Sequence, residues 1–283
     1  MSDEGRLRRV VSHDQLALVA DDMGPLDAPA VILLHGGGQT RHSWSGAAQA
    51  LAQRGYRVIN FDARGHGESE WSEHGAYTLD DRVADLAAIV AQLDQPFALV
   101  GASLGGATSI HAVASQLQPC AVVLVDIVPH PEPEGISHIV GFMRAHPDGF
   151  ATLDEAVDAV AAYNPERPRP RDPKGLLRNL RERENGRLYW HWDPRIVSHR
   201  PSEMHETVQR SAVTLAETGV PVLLVRGLKS DVVSDAGVAA FRELVPHLEV
   251  ADVSGAGHMV AGDRNDAFND AAITFLEQHL PLA

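Results

Sequence analysis

The fold of this chain is decided by the stretch Phe97-Ala-Leu-Val-Gly-Ala-Ser-Leu-Gly-Gly-Ala-Thr-Ser-Ile-His-Ala-Val-Ala114, which joins an apolar run to a helical pattern. The run Phe97–Val100 predicts a buried strand, and the residues from Leu104 onward predict a helix. Between them, Gly101-Ala-Ser-Leu-Gly105 matches the pattern G-x-S-x-G. A strand, a sharp turn and a helix in this order hold a serine hydroxyl above a sheet edge, at a helix N-terminus.

Ser103, at the centre of this turn, is the candidate nucleophile. The flanking glycines leave room for the strained backbone that such a turn requires. A pattern this short also occurs by chance, and a serine that precedes a helix can act simply as its N-cap. The rest of the chain must therefore supply the partners that catalysis by a serine hydroxyl needs.

On both sides of this turn, short continuous apolar runs are separated by helical patterns. Such runs are typical of parallel strands buried on both faces. The predicted strands are Val31–Leu34, Val58–Phe61, Ala98–Val100, Val122–Val125, Val222–Val225 and Leu248–Val253. The predicted helices are Ser45–Arg54, Leu79–Leu93, Leu104–Gln116, Asp235–Val245 and Asp266–His279. With a hairpin over residues 9–19 at the edge, this order predicts an α/β fold with a mostly parallel, eight-stranded sheet flanked by helices.

The alternation of strands and helices is interrupted once. Nine of the 17 prolines lie between residues 131 and 201, and this interval lacks a strong strand pattern. We therefore expect residues 130–218 to form an inserted, mainly helical cap. Residues 1–129 and 219–283 then form one catalytic domain around the sheet.

His258 is the candidate base among the 15 histidines of the chain. It lies in Ser254-Gly-Ala-Gly-His-Met259, directly after the last predicted strand and before the final helix. Loops at the carboxyl ends of parallel strands line the binding sites of open α/β sheets. A surface-loop histidine is the alternative interpretation.

The third member of a serine–histidine–carboxylate set should orient the imidazole and stabilise its charged form. Asp231 follows the predicted strand Val222–Val225, which places the three candidates in the chain order Ser103, Asp231, His258. We predict Asp231 for this role. Asp126, which ends the strand before the cap, is the competing candidate.

Backbone N–H groups are the expected donors to a developing oxyanion. His35-Gly-Gly-Gly follows the first buried strand, so its N–H groups can point into the site without intervening side chains. We predict Gly37 as one donor, with Gly38 as the alternative, and Leu104, just after the nucleophile, as the other. A dinucleotide-binding pattern fails here, because Arg41 stands where its third glycine would be required.

Five motifs support this interpretation together. They are His35-Gly-Gly-Gly with Ser43-Trp44, Phe61–Ser69, Gly101–Gly106, Arg226–Asp231 and Gly255–His258. Over about residues 8–128 and 219–280 the chain resembles the α/β-hydrolase superfamily, in its capped branch of esterases, lactonases, cofactor-free haloperoxidases and carbon–carbon bond hydrolases. The resemblance also implies that Gly37 supplies an oxyanion N–H. Epoxide hydrolases and haloalkane dehalogenases of this shape use aspartate where this chain has Ser103, which argues against both reactions.

Trp190, Trp192, Met143 and Met259 are expected to line the substrate pocket. The two tryptophans could equally form an aromatic core of the cap. The cap histidines lack the H-E-x-x-H spacing of a zinc site, so no metal is expected. The proposed chemistry also needs no cofactor.

The composition bounds the partners of this chain. Its formal net charge of −14 argues against nucleic acid or an anionic membrane as the main partner. Cys120 is the one cysteine of the chain, so no intramolecular disulfide can form. The chain has neither a signal-peptide pattern nor an apolar run of membrane-spanning length, so a cytoplasmic location is expected. A small-molecule substrate is expected, and a homo-oligomer is compatible with the sequence.

The sequence thus predicts a serine hydrolase that cleaves a small to medium, partly apolar ester or lactone through an acyl-enzyme intermediate. Carbon–carbon bond hydrolysis and perhydrolysis, which is observed as haloperoxidase activity, could use the same residues. A hydrolase-shaped receptor for a small molecule, without turnover, is the non-enzymatic alternative.

Overall fold

The computed structural model describes residues 5–165, 172–198, 201–258 and 265–282. Eight of the strands in this part of the chain form one sheet, in the order β1-β2-β4-β3-β5-β6-β9-β10. The strands are β1 (Arg6–Val11), β2 (Ala17–Met23), β3 (Ala30–Leu34), β4 (Arg57–Phe61), β5 (Phe97–Ala102), β6 (Val122–Val125), β7 (Leu180–Glu182), β8 (Leu188–Trp190), β9 (Val222–Gly227) and β10 (Leu248–Val253).

The sheet confirms the predicted α/β architecture. Strand β2 runs antiparallel to its neighbours β1 and β4. The other neighbouring strands of this sheet, in the order β4-β3-β5-β6-β9-β10, are all parallel. All residues of β3, β4 and β6 are buried. Burial of both faces explains why these strands appear in the sequence as continuous apolar runs.

Helices cover both faces of the sheet, and their ends lie within three residues of the predicted ones in the catalytic domain. The helices are α1 (Ser45–Gln53), α2 (Leu79–Val90), α3 (Leu104–Ala114), α4 (Pro133–Arg144), α5 (Leu153–Tyr163), α6 (Pro201–Thr218), α7 (Asp235–Leu244) and α8 (Asn265–His279). Side chains of β3 divide between the two layers. Val31 and Leu33 join the core under α1 and α8, whereas Ile32 and Leu34 join the core under α2. None of the helices in the described ranges combines the length and apolarity that a membrane span requires.

Between β6 and α6 the chain forms a separate unit, which we call the lid and define as residues 133–165 and 172–198. It contains α4, α5, two short 3₁₀ segments and the antiparallel pair β7–β8. The expectation of a mainly helical cap missed this pair, because strands of three residues are too short to produce a recognisable pattern. The lid has its own core, in which Phe150, Trp190 and Trp192 are buried.

Helix α6 lies inside the predicted cap range 130–218, but it packs mainly on the sheet side of the molecule. Its residues Val208, Ala212 and Leu215 are fully buried against α3 and the strands β6 and β9. The boundaries of the cap remain a prediction, and this packing favours ending the cap before residue 201.

Candidate active site

The turn at Ser103 has the backbone that the sequence pattern demands. Ser103 connects β5 to α3 with φ 47° and ψ −111°, a conformation that L-residues rarely adopt. Its N–H donates to the carbonyl oxygen of Val125 at 3.0 Å, and its own carbonyl accepts from the N–H of Ala107. The strained residue is thus held by hydrogen bonds on both sides.

The glycines of the turn are required by close backbone packing. A β-carbon at Gly101 would overlap the carbonyl oxygen of Gly105. A β-carbon at Gly105 would in turn overlap the carbonyl oxygen of Leu34, in the neighbouring strand β3. Helix α3 therefore approaches the sheet closely enough to lift Ser103 above its carboxyl edge.

His258 is paired with a buried carboxylate. Its Nδ1 lies 2.7 Å from Oδ2 of Asp126, whose side chain is fully buried. Because the carboxylate can only accept, Nδ1 carries the proton and Nε2 is left as an acceptor. Asp126 also accepts from the Gly227 N–H at 3.1 Å and from the Ser230 hydroxyl at 2.5 Å. This carboxylate is fixed by three donors, one of which is the histidine.

The carboxylate partner of His258 is therefore Asp126, and the prediction of Asp231 requires correction. The Asp231 side chain is 53% exposed and its Oδ2 lies 3.5 Å from Nδ1 of His138, on the lid. The physical reason is the strand order. Ala102 pairs with Val125, so Ser103 and Asp126 are the next residues on adjacent parallel strands.

The glycine loop after β3 presents one free N–H to the site. The Gly36 N–H donates to the side-chain oxygen of Gln39 at 3.1 Å, and the Gly38 N–H donates to Nε2 of His66 at 3.2 Å. Neither the Gly37 N–H nor the Leu104 N–H donates to any described residue. The sequence left Gly37 and Gly38 as candidate oxyanion donors in this loop. Of these two, only the Gly37 N–H is available to a substrate.

Buried histidines hold the glycine loop from below. His66 accepts from Gly38, and His191 of the lid accepts from the Gly67 N–H through Nδ1 at 2.7 Å. The remaining nitrogen of His191 then carries the proton and donates to the Gly38 carbonyl at 3.3 Å. Burial lowers the pKa of His66 well below its usual value and lowers that of His191 to about 3. Both rings are neutral at physiological pH.

His35 braces the base of the same loop. Its Nε2 accepts from the Ala63 N–H at 2.9 Å, so its Nδ1 carries the proton and donates to the Gly36 carbonyl at 2.8 Å. Burial also lowers the pKa of His35. All its polar atoms are engaged in positioning the loop, which leaves His35 without a free nitrogen for proton transfer.

A cavity of about 690 Å³ connects these groups. Ser103, His258, Gly37 and Leu104 all line it, and the Ser103 hydroxyl makes no hydrogen bond to any described residue. The other walls are mostly apolar and come both from the lid and from the rest of the chain, which we call the body. They include Leu79, Ala107, Ile127, Val128, Ile136, Ile139, Val140, Phe142, Val157, Val160, Leu176, Ile196, Val197, Met204, Val208 and Val232.

Three of the four predicted pocket residues line this cavity. They are Met143, Trp190 and Trp192, and the fourth, Met259, lies outside the described residues. Trp190 and Trp192 are stacked with ring centroids 5.0 Å apart. The sequence analysis gave two interpretations of these tryptophans, as pocket lining and as an aromatic core of the cap. Both describe the structure, since the rings form the lid core and also line the cavity.

Among the described residues, one group brings three potential metal-ligand atoms within 4.8 Å of one another: His13, Asp14 and Asp85. Both carboxylates of this group accept hydrogen bonds from the buried guanidinium of Arg64. None of the three residues lines the large cavity. Their arrangement is explained by the ion pairs with Arg64, at a distance from the candidate nucleophile.

Sequence reasoning did not single out Ser230 or Arg82. Ser230 stands one residue before the predicted Asp231, and its hydroxyl binds Asp126 in the structure. Arg82 is a buried cation in the cavity wall. An arginine within the apolar helical pattern of residues 79–93 is the sequence signal that could have pointed to it.

Comparisons with known proteins agree with this geometry. Residues 29–264 match the family described as alpha/beta hydrolase fold. The chain is 31% identical over 252 residues to Esterase Rv0045c of Mycobacterium tuberculosis, covering 84% of this chain and 79% of that protein. It is 28% identical over 284 residues to the non-heme chloroperoxidase of Burkholderia pyrrocinia, covering 95% and 99%.

A solved structure is also similar over nearly the whole chain. The crystal structure of an alpha/beta hydrolase from Novosphingobium aromaticivorans superposes with a TM-score of 0.82 at 25% identity. The match covers 98% of this chain and 100% of that one. This chain therefore belongs to the α/β-hydrolase family and is a hydrolase similar to carboxylic ester hydrolases.

Proposed function

We propose that the chain hydrolyses a carboxylic ester or lactone through an acyl-enzyme on Ser103. The observation that carries this proposal is the convergence of three features at one cavity. These are the strained Ser103 turn, the His258–Asp126 pair at 2.7 Å, and the unengaged N–H groups of Gly37 and Leu104. Each supplies one requirement of acyl transfer: nucleophile, base with its orienting carboxylate, and oxyanion donors.

In the proposed reaction, Nε2 of His258 takes the Ser103 proton as the hydroxyl oxygen attacks the substrate carbonyl carbon. This serine–histidine hydrogen bond forms when the substrate is bound, as is common for catalytic contacts. Gly37 and Leu104 donate to the oxyanion, and Asp126 stabilises the imidazolium. His258 then protonates the leaving alcohol. Water, activated by the same nitrogen, attacks the acyl carbon, which releases the acid and restores Ser103.

The cavity beneath the lid favours a small to medium, partly apolar substrate. A cavity of about 690 Å³ lies within the size range of small-molecule sites and has mostly apolar walls. Met143 packs over Gly37 and Gly38, so the lid reaches the proposed oxyanion donors. We propose that the lid encloses the apolar part of the substrate and excludes bulk water during acylation.

The test is hydrolysis of p-nitrophenyl esters from acetate to octanoate by the wild type and by Ser103→Ala. Removal of the nucleophile should lower kcat by about 10⁴- to 10⁶-fold. The matched control is Ser137→Ala, an exposed serine of the lid that does not line the cavity, and it should retain wild-type rates. Equal activity of the wild type and Ser103→Ala would show that Ser103 is not the nucleophile.

A second activity, perhydrolysis, is favoured by the similarity to a protein named as a non-heme chloroperoxidase. Hydrogen peroxide in place of water would attack the acyl-enzyme, giving a peracid and free Ser103. The peracid then oxidises bromide and returns to the carboxylic acid. Bromination that requires acetate and peroxide together, and that is lost in Ser103→Ala, would support this activity.

The remaining alternatives differ in their products. Carbon–carbon cleavage would yield two products from a diketone that carries no ester bond. A receptor would bind an ester-like ligand and leave it intact. Product analysis by mass spectrometry separates both from ester hydrolysis.

A further inference from the structure

Arg82 is a buried arginine without a carboxylate partner among the described residues, unlike the other buried arginines. Five arginines of the described chain are buried, and Arg82, on α2, is 4% exposed. The other four each contact at least one carboxylate. These contacts are Arg41 with Asp62, Arg57 with Asp22, Arg64 with Asp85, and Arg226 with Asp252. The guanidinium of Arg82 makes no hydrogen bond or ion pair with any described residue.

This unpaired state is energetically unfavourable. The Nε and Nη1 atoms of Arg82 are buried and have no hydrogen-bond partner. A buried charged donor without an acceptor loses its hydration, and the attraction of the Asp85 charge offsets only part of that loss. The acidic residue that attracts Arg82 most strongly, Asp85, accepts instead from Nε and Nη2 of Arg64, both at 2.6 Å. Burial lowers the pKa of Arg82 to about 10, so the side chain still carries its charge at neutral pH.

The position of Arg82 indicates where an acceptor could come from. Arg82 lines the large cavity together with Ser103 and Leu104. Among the described residues that line this cavity it is the one lysine or arginine. The acidic lining residues are engaged or exposed: Asp126 binds His258, Asp80 binds His111, and Glu203 is exposed.

A single water molecule does not account for the missing acceptors. Arg82 also lines a second cavity of about 20 Å³, beside His35 and Leu104, which is large enough for one water. Nε and Nη1 carry three N–H donors between them, whereas one water offers two acceptor sites. Nε and Nη1 are closed off from both cavities, so the guanidinium nitrogen left accessible is Nη2, whose two N–H donors also have no partner among the described residues. An anionic group in the large cavity would supply an acceptor for Nη2 and the missing charge.

We propose that Arg82 binds a carboxylate of the substrate, so that the preferred ester carries a second, anionic carboxyl group. This inference rests on the proposed ester hydrolysis at Ser103. A carboxylate oxygen that accepts from Nη2 forms a charge-assisted hydrogen bond, and such bonds are among the strong hydrogen bonds in proteins. The apolar walls then enclose the carbon chain between the two carboxyl groups.

The experiment compares anionic and neutral esters of the same skeleton. Mono-p-nitrophenyl succinate, glutarate and adipate are paired with their methyl esters, which lack the charge. The wild type should favour the anionic member of the best pair by about tenfold to a hundredfold in kcat/KM. A second pair, 4-acetoxybenzoate and its methyl ester, places the carboxylate on the leaving group and identifies which side of the substrate Arg82 binds.

Arg82→Gln should lower the anionic-to-neutral ratio at least tenfold, and Arg82→Lys should restore part of it. This ratio is measured within one protein, so a general loss of folded enzyme cancels. Arg242→Gln, which removes an exposed arginine on α7, is the matched control for net charge and should leave the ratio unchanged. A wild-type ratio near one in both series, or a ratio that Arg82→Gln does not change, would overturn the proposal.

A binding assay separates this inference from the proposed function. Glutarate and adipate should raise the Tm of Ser103→Ala, and should not raise that of Ser103→Ala/Arg82→Gln. If no ester is hydrolysed but this stabilisation depends on Arg82, the ester hydrolysis fails and the carboxylate site stands. If neutral esters are hydrolysed and neither diacid stabilises either protein, the carboxylate site fails and the hydrolase stands.

Discussion

The body and the lid of this protein are stabilised by different interactions. In the body, strands buried on both faces are combined with buried arginine–carboxylate pairs, such as Arg64 with Asp85. In the lid, α4 buries only Gly135 and Met143, and the core is a cluster of aromatic rings around Trp190. The body therefore fixes the positions of reacting groups, whereas the lid supplies an apolar cover whose shape depends on a few large side chains.

Many of the polar contacts between the two regions lie along the loop between β4 and α2. Asp193 of the lid accepts from the Tyr77 hydroxyl at 2.6 Å, and Arg195 donates to the Ser72 carbonyl at 2.6 Å. His191 adds the contact to the glycine loop. The lid is thus attached beside the proposed oxyanion donors, so changes in the lid can reach the chemistry without altering the sheet.

The largest expected effect comes from replacing the carboxylate that the body buries. Asp126→Asn should lower kcat by about 10³- to 10⁴-fold, because an amide can no longer stabilise the His258 imidazolium. Asp231→Asn is the matched control at an exposed carboxylate and should change kcat less than twofold. Steady-state kinetics with p-nitrophenyl butyrate measure both. The reverse ranking would restore Asp231 as the partner of His258.

A pair of tryptophan substitutions compares the two regions directly. Trp44→Ala opens the body core beside Phe268 and should lower the free energy of unfolding by about 3–5 kcal/mol. Trp190→Ala removes a ring of similar size from the lid, and should instead shift the preferred ester chain length with a smaller loss of global stability. Urea unfolding and the chain-length profile provide the readouts. Equal destabilisation by both would mean that body and lid unfold as one unit.

The smallest expected effect is on the pH dependence of stability. His191 is neutral when folded with a pKa of about 3, while an unfolded histidine titrates near pH 6.5. Between these values the unfolded chain binds more protons, so stability falls as pH decreases, by up to about 1.4 kcal/mol per pH unit for each such histidine. His191→Asn should reduce this slope between pH 6 and pH 4.

The control for this prediction is His74→Asn, at an exposed position of the body. Unfolding in urea at several pH values gives the slope for both variants and the wild type. An unchanged slope in His191→Asn would mean that this ring does not remain neutral in the folded protein. His35 and His66 remain in all three proteins and should maintain part of the slope, because burial lowers their pKa values as well.

Much of the body could be predicted because its signals are local. Continuous apolar runs marked the parallel strands, and the Ser103 turn required glycines within two residues on either side. The β7–β8 pair was missed because its strands are three residues long. Asp126 and Asp231 both satisfy the chain order, and that order gives no information about which strand lies beside β5, so it could not exclude Asp231.

The sequence was enough to identify the α/β fold, the turn that exposes Ser103, and the loops that carry Gly37 and His258. These follow from hydrophobic periodicity and backbone sterics, which act between residues close in the chain. The tertiary structure was needed to show that Asp126 accepts the hydrogen bond from His258, that the Gly38 N–H donates to His66, and that Arg82 has no carboxylate hydrogen-bond partner among the described residues. Each of these depends on distances between residues far apart in the chain, which strand order and burial set together.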